Sequence, residues 1–125
     1  KIVIDREAVS EAIVNLLDNA VKYSNETKFI KMVIACENDF VFIEIQDKGI
    51  GISEEDQKKV FDKFYRVSSG LVHTTKGTGL GLSLVKQIMD AHEGKIDLKS
   101  KLGEGSSFKL LFPKNSQLNT GEKNA

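Results

Sequence analysis

Residues 5–23 constrain the fold more than any other stretch. Val9, Ile13, Leu16, Leu17 and Ala20 recur with a helical period behind Asp5, a residue that caps helix starts. A helix with a single apolar stripe must bury it against another layer. That layer is written in two pairs of strand-like runs. Phe29 to Cys36 and Phe40 to Gln46 are rich in β-branched and aromatic residues, and the polar turn Glu37-Asn38-Asp39 joins them as an antiparallel hairpin. Lys95 to Ser100 and Ser106 to Phe112 alternate around Lys101-Leu102-Gly103-Glu104-Gly105, and Pro113 stops the second run.

Two further helices lie between the pairs. Ser53, followed by Glu54, Glu55 and Asp56, is an N-terminal cap with acidic residues at the positive end of a short helix toward Phe64. From Leu80 to Ala91, the residues Leu84, Val85, Ile88 and Ala91 form a core stripe, with Ser83, Lys86, Gln87 and Asp90 opposite and Gly94 ending the run. Lys1 to Ile4 is a strand-like remnant, Val67 to Lys76 reads as a mobile loop, and Lys114 to Ala125 as a disordered polar tail. The expected fold is a two-layer α/β sandwich: about three helices on one face of a mixed, mostly antiparallel sheet of four or five strands. Residues 1–113 form one domain and 114–125 its tail.

Composition narrows the function classes. At 125 residues with 40% hydrophobic, the chain supports one core, and no window is long or apolar enough to span a membrane. Lys+Arg and Asp+Glu number 18 each, so no global basic field recruits nucleic acid or an anionic membrane. A polyanion would have to be held locally. Cys36 has no disulfide partner, which points to a reducing compartment, and its apolar run predicts a buried spectator. The few residues given before the first helix do not read as a signal peptide.

Four features carry candidate chemistry. Glu11, Asn15, Asn19 and Lys22 make a polar stripe opposite the apolar one; asparagine is a poor helix former, so the stripe is either a solvated face or a pair of amide oxygens aimed at a cation. Asp47-Lys48-Gly49-Ile50-Gly51-Ile52 is either a strand-ending turn or a carboxylate fixed where a planar ligand approaches backbone closely. Lys76-Gly77-Thr78-Gly79-Leu80-Gly81-Leu82 matches neither GxxxxGK[ST] nor GxGxxG. Its glycines could nonetheless let backbone N–H groups reach anionic oxygens at the positive end of the following helix, or form only a helix-entry turn. Arg66, at the edge of the loop, is a cation able to swing toward phosphate, although Phe61 and Phe64 beside it read as aromatic core. The two histidines carry no such signal: His73 reads as a solvated loop residue and His92 as a C-terminal helix residue favourable to the dipole.

These segments arrive in a fixed order. NLLDNAVKYS (15–24), DKGIGI (47–52), FDKFYR (61–66) and KGTGLGL (76–82) closely resemble the N, G1, F and G2 boxes of the catalytic and ATP-binding domain of bacterial sensor histidine kinases. GEGS (103–106) resembles the trailing G3 turn, and LVKQIMDAHEGKI (84–96) is typical after the G2 box. The resemblance implies the Bergerat ATP-binding sandwich shared with gyrase, heat-shock chaperone and mismatch-repair ATPases. It implies that Asp47 accepts the adenine exocyclic N–H, with Gly49 and Gly51 lining the purine and Ser106 supporting that end. Asn19 would ligate Mg²⁺ with Asn15 as second ligand, and Lys22 and Tyr23 would approach the phosphates and ribose. Gly77, Thr78, Gly79, Leu80 and Gly81 would bind the triphosphate, while residues from about Ser53 to Lys76 form an ATP lid with Arg66 and Lys76 as its cations.

One departure separates the functions within that superfamily. The ATPase relatives place a water-activating glutamate at the position of Asn15, and a neutral amide cannot take that proton. Slow hydrolysis leaves the γ-phosphoryl for a protein nucleophile, although Glu11 keeps hydrolysis open. The acceptor histidine usually sits in an HE-plus-proline signature, but Gly94 follows His92-Glu93 and no proline comes until Pro113. The chain therefore resembles the catalytic half alone, trimmed at its N-terminus. It is expected to be monomeric and cytoplasmic, or the cytoplasmic portion of a membrane-anchored sensor. It would serve a separate helical dimerisation and phosphotransfer domain and, indirectly, a response regulator. The alternatives are an ATP-binding regulatory module without phosphotransfer and a serine kinase of the anti-sigma-factor type.

Overall fold

Asp5 opens the first helix as its sequence predicts. In the computed structural model, which describes residues 4–24, 29–62 and 81–114, its side chain accepts the Ala8 N–H at 3.1 Å while its backbone stays extended. The helix, α1, runs Arg6–Lys22. It is followed by β1 (Ile30–Glu37), β2 (Phe40–Asp47), α2 (Glu54–Gln57), α3 (Gly81–Ala91), β3 (Lys95–Lys101) and β4 (Gly105–Pro113). The strands lie in the order β1-β2-β4-β3 and pair antiparallel throughout. Predicted strand Lys1 to Ile4 falls almost wholly outside the described residues, as do the loop 67–76 and the tail from 115.

The β1–β2 turn is tighter than predicted, because Glu37 pairs with Phe40 and only Asn38 and Asp39 remain. Asn38 takes φ 53, a left-handed conformation that asparagine tolerates and two-residue hairpins favour. The register sets the core. Ile45, Phe108, Leu110 and Phe112 point from β2 and β4 toward Val9, Ala12, Leu16 and Ala20 of α1 and Val85, Ile88 and Met89 of α3, all buried. Burying each of the larger side chains contributes about 1.5–3 kcal/mol, which makes this layer the main stabilising element.

Three sequence expectations change here. On α3, Ser83 and Met89 are buried while Ala91 is exposed, because the helix packs against α1 as well as the sheet and its inward stripe is rotated. Cys36 is exposed, not a buried spectator. It shares the helix-side face of edge strand β1 with Met32 and Ile34, 44% and 63% exposed, which α1 covers only in part.

His92 is the third. It is buried, its Nε2 accepts the Asp5 N–H at 2.9 Å, and its Nδ1 lies 2.8 Å from the Ile88 carbonyl oxygen. A backbone N–H can only donate and a carbonyl can only accept, so Nδ1 carries the single proton. His92 is thus a neutral strut between the end of α3 and the start of α1, packed edge-on against Phe112, and not a cation on the helix dipole. Just beyond it the chain turns away from the helix with Glu93 in the left-handed conformation, φ 55. The Gly94 N–H bonds to Met89 at 2.8 Å and the Glu93 N–H to Asp90 at 3.1 Å. Gly94 is needed for space: a Cβ there would stand 2.5 Å from the Leu111 carbonyl oxygen and 2.6 Å from Met89 Cε.

Candidate functional site

Strand β2 ends on Asp47, whose register partner on β4 is Ser106. The Asp47 carboxylate accepts the Gly49 N–H at 2.8 Å and lies in a buried position. Burial pushes its carboxyl above the ordinary aspartate value, against the opposing effect of hydrogen bonds from the Gly49 and Ser106 N–H groups. A carboxylate that is only partly compensated in the free protein is poised to gain from a further donor.

The loop after Asp47 is clamped from two sides. On one side the Ile50 N–H bonds to the Tyr23 carbonyl at 3.1 Å, and a Cβ on Gly49 would run into that same carbonyl. On the other, the Gly103 N–H bonds to the Ile50 carbonyl at 2.8 Å, Gly51 at φ 76 lies against the Lys101 carbonyl, and Gly105 at φ 102 lies against that of Asp47. The end of α1, the DKGIGI loop and the β3–β4 turn therefore close on one another where glycine alone leaves room.

A hydroxyl pair adds to this clamp. Ser100 Oγ accepts the Ile52 N–H at 2.7 Å, donates to the Gly105 carbonyl at 2.9 Å and lies 2.7 Å from Ser106 Oγ. Gln57 Nε2 donates to the carbonyls of Ile52, at 2.7 Å, and Ser100, at 3.1 Å, so α2 is tied to the same point. Ser53 behaves as its cap position predicts, accepting the Asp56 N–H and donating to its carboxylate, both at 3.1 Å.

The second cluster lies between α1 and the start of α3. Asn15 Nδ2 donates to the Glu11 carbonyl at 3.0 Å, which leaves Oδ1 as the atom facing outward. That oxygen is 3.3 Å from where a Cβ on Gly81, the first residue of α3, would stand. An oriented neutral amide oxygen beside a helix start is a donor of the type Mg²⁺ accepts, so the residues fit that ion. Asn19 and Lys22 follow one and two turns on along the same flank. The Lys22 ammonium is 3.2 Å from Asp18, a half-exposed pair that is released at little cost. Among the described residues no group of three or more His, Cys, Asp or Glu could hold a metal. Arg66, Lys76, Gly77, Thr78, Gly79 and Leu80 lie outside the described residues.

With this geometry in view, residues 4–116 match the family described as histidine kinase-, DNA gyrase B- and HSP90-like ATPase. The chain belongs to this family. It is 44% identical over 111 residues to sensor protein RprX of Bacteroides fragilis, covering 87% of this chain and 21% of RprX. It is also 44% identical over 96 residues to the signal transduction histidine-protein kinase ArlS of Staphylococcus aureus, covering 77% of this chain and 21% of ArlS. The chain thus spans about a fifth of the length of these relatives. Its fold is similar to the mycobacterial sensor histidine kinase MprB, with a TM-score of 0.80 and 25% identity, covering 94% of this chain and 78% of that one. It is likewise similar to the catalytic domain of histidine kinase ThkA, with a TM-score of 0.75 and 32% identity, covering 90% and 71%. The sandwich is the Bergerat fold of these catalytic domains.

Within this Bergerat domain the structure brings together Asp47, Gly49, Gly51, Ser106 and the Tyr23 carbonyl in one cluster, and Asn15 and Gly81 in another. Sequence reading alone misses Ser100 and Gln57. Ser100 leaves a signal: it continues the inward alternation of Ile96 and Leu98 on β3, where a polar residue breaks the apolar pattern and calls for a partner.

Proposed function

We propose that the chain binds ATP with Mg²⁺ and donates the γ-phosphoryl group to a histidine on a separate helical dimerisation domain, in two-component signalling. The observation that carries the reading is Asp47, a buried carboxylate at a strand end with its pKa raised by burial and its surrounding loop clamped. Adenine presents a donor at its six position where guanine presents an acceptor, so this carboxylate selects ATP over GTP. The relatives of known name are sensor and histidine kinases, which supports the phosphotransfer half.

The remaining roles follow the same frame. Asn15 and Asn19 would hold Mg²⁺, which would supply positive charge to offset that of the phosphates. Tyr23 and Lys22 would border the ribose and phosphates, and Gly81, with residues 76–80, the triphosphate at the positive end of α3. Arg66 and Lys76 would supply lid cations. Asn15 cannot act as a general base, so water is not activated there and the phosphoryl group is kept for the protein acceptor. His92 cannot be that acceptor, because both of its ring nitrogens are engaged and the ring is buried.

The test is phosphotransfer. The chain is incubated with γ-labelled ATP, Mg²⁺ and a helical acceptor domain, and label that is acid-labile and alkali-stable is expected on the acceptor. Acid-stable label would favour a serine kinase, and nucleotide binding without label a regulatory module; either result refutes the reading.

A further inference from the structure

The hydrogen-bond sense of the Ser100–Ser106 pair bears on which base the site reads. Ser100 Oγ has one proton and two lone pairs. The Ile52 N–H, at 2.7 Å, occupies one lone pair, and the Gly105 carbonyl, at 2.9 Å, can only accept, so it takes the proton. The contact of 2.7 Å to Ser106 Oγ then leaves Ser106 as the donor. Its only proton points back into the β3–β4 turn, and what Ser106 offers outward is lone pairs. Ser106 is the register partner of Asp47, with its side chain on the same face of the sheet.

We propose that Ser100 is a positioning residue for base specificity: by accepting the hydrogen bond of the Ser106 hydroxyl, it makes Ser106 an obligate acceptor beside the Asp47 carboxylate. Resting on the ATP-binding reading above, this places two acceptors at the end of the site where adenine carries its amino group. A base with a 6-oxo group, such as hypoxanthine or guanine, meets lone pairs on both, directly or through one water. If Ser106 were free to rotate, its hydroxyl could donate to that oxygen and one of the two barriers would vanish. The sense is imposed from a distance, since Ser100 is itself held by the Ile52 N–H and by the Gln57 amide on its carbonyl.

The test measures calorimetric affinities of the chain for ATP and for ITP, in which a 6-oxo acceptor and an N1–H replace the 6-amino donor and the N1 acceptor, each with Mg²⁺. Ser100→Ala is expected to narrow the ATP-to-ITP preference about fivefold, mainly through tighter ITP, the scale of one neutral hydrogen bond. Ser100→Thr, which keeps the hydroxyl, retains the wild-type ratio. In Ser106→Ala, ATP weakens while ITP does not, and adding Ser100→Ala to that variant leaves the ratio unchanged, which isolates the coupling. Equal loss of ATP and ITP in Ser100→Ala would show a merely structural role and overturn the proposal. So would ITP weakening as much as ATP in Ser106→Ala, which remains informative even if Ser100→Ala does not fold. Failure of the wild-type chain to bind ATP at all would instead refute the underlying nucleotide reading.

Discussion

Asp47→Asn separates the two things a buried carboxylate does. The Asn side chain has nearly the same shape, and its Oδ1 can still accept the Gly49 N–H that Asp47 accepts at 2.8 Å, so the loop geometry is kept. What changes is the outward group: an ionised acceptor for the adenine amine becomes either a neutral oxygen or an N–H₂ that opposes it. A hydrogen bond to a charged group contributes about 1.5–3 kcal/mol, so ATP is expected to weaken by about 2 kcal/mol, roughly 30-fold in Kd. The free protein should respond in the opposite sense. Burial raises the Asp47 pKa, so the ionised carboxylate is a destabilising feature at neutral pH that the neutral amide removes. Calorimetry with ATP·Mg²⁺ and thermal melts of the unliganded chain read both effects: lower affinity with equal or higher Tm. Unchanged ATP affinity would refute the assignment of Asp47 to adenine, and a large fall in Tm would refute the account of its burial.

Four other outcomes follow from the geometry. ATP affinity of the wild type should fall on acidification as Asp47 protonates, starting at a higher pH than the ordinary value of 3.8, whereas Asp47→Asn should lack this component; titrations across pH check it. In the free protein the neutral Asp47 carboxyl stabilises most below that unfolded-state value, and its contribution is lost as pH rises through the raised folded one, so Asp47→Asn should gain on wild type between acid and neutral pH in chemical denaturation. Gly105→Ala, which combines φ 102 with a Cβ driven into the Asp47 carbonyl, should cost about 3 kcal/mol and loosen ATP binding, read by denaturation and calorimetry. Asn15→Glu should raise ATP hydrolysis, because it puts a proton acceptor where an oriented amide oxygen faces the start of α3; no rise in phosphate release would count against the role given to Asn15.

What is legible in the sequence is local. Asp5 and Ser53 announce their helices because a cap is a contact across three residues, and the hairpins follow from β-rich runs about a polar turn in one case and from alternation in the other. Asp47, Gly49 and Gly51 are legible because a carboxylate followed by closely spaced glycines at a strand end marks a turn where backbone must approach another group. Cys36 is not, since its exposure depends on β1 being an edge strand that α1 covers only in part, a property of topology that no eight-residue window holds. The role of His92 is hidden for the same reason. Its decisive partner, Asp5, is 87 positions away, and only the packing of α1 against α3 brings the two together. Ser100 lies between these cases: the break in the β3 alternation is visible, but its partners on the DKGIGI loop are not.

The central claim is that the Asp47 end of this sandwich reads adenine and the Asn15 end holds the metal and phosphates. A crystal structure of the chain with a non-hydrolysable ATP analogue and Mg²⁺ tests it most directly. The adenine amino nitrogen is expected within about 3 Å of the Asp47 carboxylate, with Mg²⁺ on the asparagine flank of α1 and phosphate oxygens at the start of α3. A base seated elsewhere, or an adenine whose amino group does not meet Asp47, would contradict it.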